Sequence, residues 1–393
     1  MEKQKNIPAL RFPGFFKEWK LKDLSEIAKV SSGGTPSRGN PNYWSGTIPW
    51  VSTTLINFNT INNADEYITK EGLENSSAKL FPIGTLLMAM YGQGKTRGKV
   101  AILGIEASTN QACAAIIPEI KTIDGLFLFQ NLAGRYDEIR NLSNQGGQEN
   151  LSGELIKGLS IIFPTLPEQQ KIASFLTSVD TRLTQLKQKK NLLEQYKKGV
   201  MQKLFSREIR FRPALSEVEG DDEGREFPEW ELKPLSKIVK ILYGKDQKQV
   251  IDDNGKFPIL GTGGIIGMTN KYLYDKPSVL IGRKGTIDKP VYMDTPFWTV
   301  DTLFYTEVFT NTLAKWLYYR FQTINWYLYN EASGVPSLSG STIYKIEIEL
   351  PCVPEQTKIA NFLTSLDEKI SQCSSQIEKT ELWKKGLLQQ MFV

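Results

Sequence analysis

The sequence predicts an α+β fold in which two related domains of mixed helix and strand are joined by two long helices, paired antiparallel as a coiled coil. Three observations indicate this architecture. One helical segment of about 42 residues occurs twice. The remaining chain consists of short apolar runs between turn signals, which is typical of strands in mixed domains. Sequence echoes extend from the helices into the domains, so the chain has a pseudo-two-fold internal repeat.

The repeated segment runs from Pro164 to Phe205 and again from Pro351 to Phe392, 187 positions later throughout. Apolar residues recur in each copy at alternating spacings of three and four, the heptad pattern of a two-stranded coiled coil. A narrow apolar seam needs a partner helix, and each copy is the other's most economical partner. The seam residues are Ile172, Leu176, Val179, Leu183, Leu186, Leu193, Val200 and Leu204, then Ile359, Leu363, Leu366, Ile370, Cys373, Ile377, Leu387 and Met391. The polar residues that interrupt the seam are Lys190, Lys197, Thr380 and Lys384.

These helices divide the chain into five segments. We predict a first domain over residues 1–163, a central helix over 164–205, a linker over 206–226, a second domain over 227–350 and a carboxy-terminal helix over 351–393. The opening of the first domain predicts a short amphipathic helix through Trp19, Leu24 and Ile27. Residues 227–238 repeat that opening after the linker.

Composition restricts the class of protein. The 393 residues include no histidine, which removes Ser-His-Asp and Cys-His catalysis and histidine-ligated metal centres. Three cysteines form no disulfide framework, and no apolar run reaches membrane-spanning length. Together with a polar, charged amino terminus, these features favour a cytoplasmic protein without a membrane segment. The net charge of +5 permits nucleic-acid binding without indicating it.

Three segments approach catalytic motifs but depart from them. Residues 89–96, AMYGQGKT, fit a relaxed P-loop, yet a strand-like RGKVAILG follows where a P-loop opens a helix. Residues 40–43, NPNY, lack the second proline of amino-methyltransferases, and residues 261–267, GTGGIIG, lack dinucleotide spacing. We predict a basic loop between two strands around Lys95 and turns at the other two segments. No catalytic or metal site is predicted.

Polar, aromatic and basic loops occur in both domains. Those of the first domain cover residues 31–44, 91–99 and 143–150, and those of the second cover 243–249, 281–289 and 331–340. Arginine, lysine, glutamine, asparagine and serine are the side chains that reach base edges and phosphates. Ordinary surface loops share this composition. Two equivalent sets in one chain favour a duplicated reader of a bipartite DNA site.

Several polar residues outside the seam recur in both helices. We predict that they form two equivalent outer faces on which two copies of another subunit dock, although helices that merely hold the domains together remain the alternative. The docking candidates are Gln169, Lys171, Gln185, Lys198, Gln202, Gln356, Lys358, Gln372, Lys385 and Gln389.

The chain resembles the specificity subunit of type I restriction-modification enzymes. The resemblance is carried by RFPGF and a tryptophan at residues 11–19, SGGTPSRGNPNYW at 32–44 with IPW at 48–50, and the two PEQxKIAxFL…KKG helices. It implies two target recognition domains, each reading one half of a split sequence in double-stranded DNA. It further implies that the helix pair sets the half-site spacing and docks two modification subunits.

The resemblance also implies that this chain is non-catalytic and binds no cofactor itself. The modification subunits would use S-adenosylmethionine. Two restriction subunits, where the system includes them, would use ATP with magnesium. The second domain lacks the SGGTP opening and has only ILYGKDQKQ in its place.

Residue by residue, we predict DNA contacts from the loops of both domains. Basic side chains are candidates for phosphate or guanine, glutamines for adenine, and aromatic side chains for sugars or methyl groups. The candidates are Gly33, Gly34, Thr35, Ser37, Arg38, Tyr43, Trp44, Tyr91, Gln93, Lys95, Arg97, Gln145, Gln148, Lys245, Gln247, Lys248, Arg283, Lys284 and Ser337.

Two other functional classes fit parts of the sequence. A non-catalytic adaptor could assemble partners on its coiled coil while its domains bind protein. A nucleotide-hydrolysing enzyme could use Lys95. Salt-dependent DNA binding distinguishes the first class from a DNA reader, since phosphate contacts release counterions.

Overall fold

A computed structural model of the chain describes residues 6–92, 95–142, 150–213 and 226–393. The described chain forms two compact units. The first unit combines Met1–Lys187 with Ser375–Val393, and the second is Gln188–Ser374. Each unit therefore contains one domain together with one half of each long helix, because both unit boundaries fall inside the helices.

The first unit contains a five-stranded sheet of order β2-β10-β7-β8-β4, a four-stranded sheet of order β5-β3-β9-β6 and a ribbon of β1 and β11. Its strands are β1 (Lys20–Asp23), β2 (Ala28–Ser32), β3 (Trp44–Val51), β4 (Thr60–Ile61), β5 (Glu66–Ile68), β6 (Leu80–Phe81), β7 (Leu86–Ala89), β8 (Val100–Leu103), β9 (Ala107–Thr109), β10 (Cys113–Pro118) and β11 (Ser160–Phe163). Its helices are α1 (Leu24–Ile27), α2 (Lys70–Glu74), α3 (Gly125–Gly134), α4 (Tyr136–Asn141) and α5 (Gly153–Lys157), and the long helix α6 (Leu166–Phe205) begins here.

The second unit repeats this plan with sheets of order β13-β19-β16-β17 and β15-β14-β18 and a ribbon of β12 and β20. Its strands are β12 (Glu231–Pro234), β13 (Val239–Tyr243), β14 (Phe257–Gly261), β15 (Gly264–Thr269), β16 (Ser278–Gly282), β17 (Val291–Met293), β18 (Trp298–Thr299), β19 (Leu303–Val308) and β20 (Glu347–Leu350). Its helices are α7 (Ala314–Gln322) and α8 (Gly340–Lys345), and the long helix α9 (Val353–Met391) begins here.

The predicted α+β class, the internal repeat and the two long antiparallel helices are confirmed. Seam residues such as Leu176 and Leu363 are fully buried, and each half-helix packs into the core of its own unit. The predicted amphipathic helix near Trp19 is wrong, because β1 and β2 occupy most of that segment and α1 contains only four residues. Strand pairing of β1 with β11 outweighs the short helical pattern.

Two of the residues that interrupt the apolar seam form the pairs that align the helices. In the first unit Lys384 Nζ lies 2.6 Å from Asp180 Oδ1, and in the second unit Lys197 Nζ lies 2.5 Å from Asp367 Oδ1. All four residues obey the 187-residue offset. A polar group at one seam position specifies helix register, because a shifted alignment would leave it unpaired. These pairs establish the antiparallel orientation within each unit.

Each aspartate also binds the domain of its own unit. Gln130 Nε2 in α3 donates to Asp180 Oδ2 over 2.7 Å, and Tyr319 Oη in α7 donates to Asp367 Oδ2 over 2.7 Å. One carboxylate therefore joins three helices in each unit.

The start of each long helix is fixed by a buried glutamate. Glu168 accepts hydrogen bonds from Arg11 Nε at 2.6 Å and Nη2 at 2.8 Å, and Glu355 accepts from Arg210 Nε at 3.1 Å and Nη2 at 2.9 Å. Trp230 Nε1 also donates to Glu355. Burying a carboxylate is costly unless it is paired and hydrogen-bonded, and the bidentate arginine satisfies both requirements.

An equivalent backbone hydrogen bond follows the end of a long helix in each unit. In the second unit both partners lie close together in sequence, whereas in the first unit they lie near opposite ends of the chain. In the second unit the amide of Ile209 donates to the carbonyl of Lys203, within the stretch that leads out of α6. In the first unit the amide of Leu10 donates to the carbonyl of Gln390, at the end of α9. The start of the predicted linker over 206–226 is thus packed structure through Arg210. Residues 214–225 lie outside the described residues.

We expect Lys197→Ala and Lys384→Ala each to lower the free energy of unfolding by about 1–2 kcal/mol. The loss leaves a carboxylate at the seam without its cation, and partial exposure of the aspartate keeps the effect below the ~3–5 kcal/mol of a fully buried pair. Chemical denaturation followed by circular dichroism measures the change. Lys189→Ala, on the exposed face of α6, is the matched control, and equal stability of all three variants would contradict the assignment.

Candidate nucleic-acid interface

Loops from distant parts of the second domain meet at one end of its main sheet. Strands β13 and β16 both run antiparallel to β19, so their carboxyl ends lie beside the start of β19. Backbone bonds join the loops there: the amide of Arg283 donates to Thr302 O at 2.8 Å and the amide of Gly285 to Pro336 O at 2.9 Å. We call residues 244–248, 283–285, 300–302 and 336–338 the second loop cluster.

The first domain builds the equivalent cluster. Strands β2 and β7 both run antiparallel to β10, and the amide of Leu151 donates to Met90 O at 2.9 Å, as that of Leu338 does to Arg283 O in the second domain. We call residues 33–38, 90–92, 95–97, 110–112 and 150–151 the first loop cluster. Loops singled out in the sequence for their composition therefore converge within each domain.

The glycines that open these loops serve close packing inside the fold. A Cβ at Gly33 would lie 2.0 Å from Thr109 O, and one at Gly244 would lie 2.0 Å from Val300 O. A Cβ at Gly34 would lie 2.3 Å from the carbonyl carbon of Ser77. Gly33 and Gly34 are buried, so close packing against neighbouring strands accounts for both glycines, and their role as DNA contacts stays a prediction.

Arg38 lies on an aromatic platform at the rim of the first cluster. Its guanidinium carbon is 3.7 Å from the ring centre of Trp44 and 4.9 Å from that of Trp50. Both Nη atoms hydrogen-bond the Glu66 carboxylate, Nη2 at 2.9 Å. These hydrogen bonds lower the pKa of Glu66 below its ordinary value. The end of the guanidinium fork is thus occupied, and a bidentate contact to guanine would require Arg38 to leave Glu66.

The rest of the first cluster offers a mixed set of side chains. Ser37, Tyr91 and Lys95 are exposed, whereas Thr35, Tyr43 and Trp44 are partly buried. Thr35 Oγ1 donates to Gln111 Oε1 at 2.5 Å.

Arg97, one of the predicted DNA contacts, is buried, with 7% of its surface exposed. The backbone has already returned to the sheet there, where the amide of Gly98 bonds Ala89 O. The predicted contacts Gln93, Gln145 and Gln148 lie outside the described residues.

The second cluster contains three exposed lysines and one partly buried arginine. Lys245, Lys248 and Lys284 are exposed, and Gln247 and Ser337 are partly buried. Arg283 stacks 5.6 Å from the ring centre of Tyr243 and donates from Nη1 to Asp301 O at 3.1 Å. Lys284 and Ser337 face each other in an isolated β-bridge, which brings two predicted contacts together.

Two of the predicted docking residues are internal. Gln169 and Gln356 are fully buried, and each clips the start of a long helix to its own domain. Gln169 Oε1 accepts from the amide of Asp124 and its Nε2 donates to Thr122 O and Pro164 O, and Gln356 makes the matching set with Leu313, Asn311 and Pro351. Their prediction as outer-face residues is wrong. Both glutamines recur in the repeat because each hydrogen-bonds the backbone of its own domain.

The other docking candidates remain at the surface of the helices. Lys171 is exposed near the ring of Phe12, and Lys358 is partly buried and donates to Arg212 O. The remaining exposed candidates on the two helices are Gln185, Lys198, Gln202, Gln372, Lys385 and Gln389.

The motif-like segments form the predicted turns. Residues 90–99 join β7 to the antiparallel strand β8 rather than to a helix. The segment at 40–43 contains the 3₁₀ helix Pro41–Tyr43, and that at 261–267 is the hairpin between β14 and β15. Among the described residues no group of acidic or cysteine side chains could hold a metal ion. None of the described helices is long and apolar enough to cross a membrane.

Sequence reasoning missed the side chains that support the loops. Trp50 and Trp298 donate their indole N–H groups to loop carbonyls, and Glu66 holds Arg38. A glycine directly after a strand, followed by polar residues, was the available signal for a close backbone approach. No nearby sequence pattern indicated which tryptophan or glutamate would contact each loop, because these partners lie far from the loops in sequence.

The two domains that carry these clusters match a known protein family. The model of the type I restriction modification DNA specificity domain matches residues 16–195 and 228–380, one match for each domain with its helix. The chain belongs to this family. Its duplicated domain is therefore the family's DNA specificity domain, present twice.

Relatives among characterised proteins agree with the family match. The MjaIX specificity subunit of Methanocaldococcus jannaschii is 29% identical over 62% of this chain, and the EcoR124I/EcoR124II specificity subunit of Escherichia coli is 29% identical over 42%. The chain spans 57% and 41% of the lengths of these two relatives. The MjaVIII specificity subunit is 23% identical, and the match covers 98% of this chain and 94% of that one.

Solved structures share the fold. The S subunit of a type I restriction-modification system from M. genitalium superposes with a TM-score of 0.67 at 18% identity and covers 98% of this chain and 99% of its own. A chain from a study of complex assembly in a type I system gives a TM-score of 0.53 at 14% identity, over 96% of this chain and 98% of its own. At such identities the likeness concerns the fold.

We expect Gly33→Ala and Gly244→Ala to lower the free energy of unfolding by about 1–3 kcal/mol each, because the new methyl group would overlap backbone oxygen atoms. Thermal unfolding monitored by circular dichroism measures this. The matched controls are Gly39→Ala, whose Cβ would have its nearest neighbour at 3.7 Å, and Gly263→Ala, with nothing within 4 Å. Test variants as stable as the controls would disprove the packing role.

We expect Arg283→Ala and Lys95→Ala each to weaken binding of the cognate duplex by about 1–3 kcal/mol if the side chain reads a base. If it contacts only a phosphate, the salt dependence of binding falls by about one counterion instead. Titration of a labelled duplex at several salt concentrations separates these cases.

The controls for those two variants are Lys237→Ala and Lys29→Ala. Both lysines are exposed near the starts of β13 and β2, away from the loop clusters. Unchanged binding in Arg283→Ala and Lys95→Ala would remove both residues from the interface.

Proposed function

We propose that the chain is the DNA-reading specificity subunit of a type I restriction-modification complex, and that each loop cluster reads one half of a bipartite target. The observation that carries this proposal is the recurrence of the cluster: both domains place polar and basic loops at the same end of equivalent sheets. Membership of the DNA specificity family supports it. A single surface of this kind would be ordinary, whereas two equivalent ones fit a split site.

The proposed division of labour follows the chemistry of the exposed side chains. Lys245, Lys248 and Lys284 in the second cluster and Lys95 in the first are exposed and would bind phosphates or guanine. Ser37 and Tyr91, both exposed, add a hydroxyl group and an aromatic ring to the first cluster. Arg38 would join them only after exchanging Glu66 for DNA, so its contribution includes the loss of an ion pair.

The helix pair is proposed to set the distance between half-sites and to dock two modification subunits. Each long helix contributes one half to each unit, and the seam ion pairs hold the two helices in one register within each unit. Six exposed docking candidates, three on each helix, occupy equivalent positions of the repeat: Gln185, Lys198 and Gln202, then Gln372, Lys385 and Gln389. Two equivalent surfaces fit two copies of one partner.

We propose no chemistry for this chain. The modification subunits would supply methyl transfer with S-adenosylmethionine, and restriction subunits, where present, would use ATP and magnesium. The absence of histidine from the sequence supports this part of the proposal, because it removes Ser-His-Asp and Cys-His catalysis.

The competing proposal is a protein-assembly adaptor whose domains bind protein. The exposed lysines of the clusters, Lys95 in the first and Lys245, Lys248 and Lys284 in the second, favour DNA over protein, because they are opposite in charge to the phosphate backbone. Binding that weakens steeply with salt supports the DNA reader, and salt-insensitive assembly without DNA binding supports the adaptor.

Methylation mapping in cells that express the chain with its modification subunit tests the proposed function. We expect one split motif that is methylated only when the chain is present. Replacing residues 227–350 with the corresponding segment of another specificity subunit should change one half of the motif and preserve the other. A complex that assembles and binds S-adenosylmethionine but methylates no split motif would contradict the proposal.

A further inference from the structure

We propose that Trp50 and Trp298 are positioning residues for DNA reading, each holding the backbone of the loop that opens its cluster. This inference rests on the proposed function and deepens it, since it assigns the half-site that each indole controls. Neither residue need touch DNA.

The first domain shows the contact in full. Trp50 lies in β3 and is 4% exposed, and its Nε1 donates to the carbonyl of Gly34 over 3.0 Å. The amide of the same Gly34 donates to Thr109 O over 2.8 Å. Both backbone groups of the residue after Gly33 are therefore fixed, directly before the side chains of Thr35, Ser37 and Arg38.

The second domain repeats the contact. Trp298 Nε1 donates to the carbonyl of Lys245 over 3.0 Å, and the amide of Lys245 donates to Thr299 O over 2.8 Å. Lys245 follows Gly244, whose approach to Val300 matches that of Gly33 to Thr109. The distances agree in both domains, although the loop sequences after the glycine differ completely.

The two indoles reach the same place from different strands. Trp50 is in β3 and pairs with Ser108 of the parallel strand β9. In the second domain β14 corresponds to β3 and β18 to β9, and Trp298 belongs to β18, where it pairs with Ile259. The tryptophan has thus exchanged strands while its hydrogen bond to the loop is retained.

Because the tryptophan occupies a different strand in each domain, the shared feature is its hydrogen bond to the loop and not its packing position in the sheet. A core tryptophan required for its volume would keep its place in the sheet, because interiors are packed tightly around particular shapes. Here the position differs and the acceptor carbonyl is the same. A buried indole N–H needs an acceptor, and a fixed donor in turn fixes the loop that supplies the carbonyl.

Positioning matters because base reading depends on geometry. Side chains that recognise a ligand must be held within about 0.5 Å of their productive place by supporting contacts. In the first cluster Trp44 adds a second hold, since its Nε1 donates to Ser37 O over 3.1 Å. In the second loop, Trp298 is the one side chain that donates to a loop carbonyl among the described hydrogen bonds, so we expect this loop to be the more sensitive of the two.

The test uses the full chain purified with its modification subunit and duplexes that carry the mapped target. Two further sets of duplexes have single base-pair changes in one half-site or the other. Discrimination is the ratio of affinity for the intact target to affinity for a changed one. We expect Trp50→Phe to lower discrimination about three- to ten-fold in the half-site read by the first domain and to leave the other unchanged. Trp298→Phe should do the reverse.

A relocation variant distinguishes positioning from stability. Trp50→Ile combined with Ser108→Trp rebuilds in the first domain the arrangement of Ile259 and Trp298. We expect Trp50→Ile alone to lose discrimination and the double variant to regain it. Thermal unfolding is measured in parallel, since a purely structural role would follow the folded fraction and not the half-site.

The outcomes are separable. Unchanged discrimination in Trp50→Phe and Trp298→Phe overturns the inference, as does equal loss in both half-sites. If the double variant is folded and its relocated indole restores no discrimination, the hydrogen bond is not the cause and the inference is also overturned. If the unmodified complex itself selects no split target, the proposed function has failed first.

Discussion

The structure depends on one carboxylate in each unit that pairs with a lysine of the opposite helix. Asp180 and Asp367 each bind that lysine and a side chain of the neighbouring domain, so helix register and domain placement are settled by the same group. An apolar seam alone tolerates a slip of one heptad, because leucine packs against any leucine. The ion pair does not tolerate it. Within each unit, the loop clusters therefore occupy a defined position on the helices that are proposed to dock the partners.

The sequence predicted the long-range plan because that plan is periodic. Heptad spacing and the 187-residue repeat identified the helices, their seam and the duplicated domains, and seam residues such as Leu176 and Leu363 are buried as expected. The repeat could not say why a residue recurs. Gln169 and Gln356 recur because they clip each helix to its own domain, a contact that depends on backbone carbonyls distant in sequence.

The loop clusters were predictable in composition and location but not in detail. Arg38 and Arg97 are both basic residues in polar loops, yet one is stacked and ion-paired at the surface and the other is buried. Their difference arises from where the chain re-enters the sheet, which no local pattern encodes. Gly33 and Gly244 show the same limit, since the backbone that leaves no room for a side chain at either position lies more than fifty residues away in sequence.

The positions of the unit boundaries bear on genetic recombination. The second unit is one uninterrupted segment, Gln188–Ser374, and it is one repeat period long. Both members of its seam ion pair, Lys197 and Asp367, lie inside that segment, and both members of the other pair, Asp180 and Lys384, lie outside it. A genetic exchange with breakpoints at the two helix midpoints would therefore transfer a complete domain together with the ion pair that sets the helix register beside it. Recombination there can replace one half of the protein without breaking either ion pair.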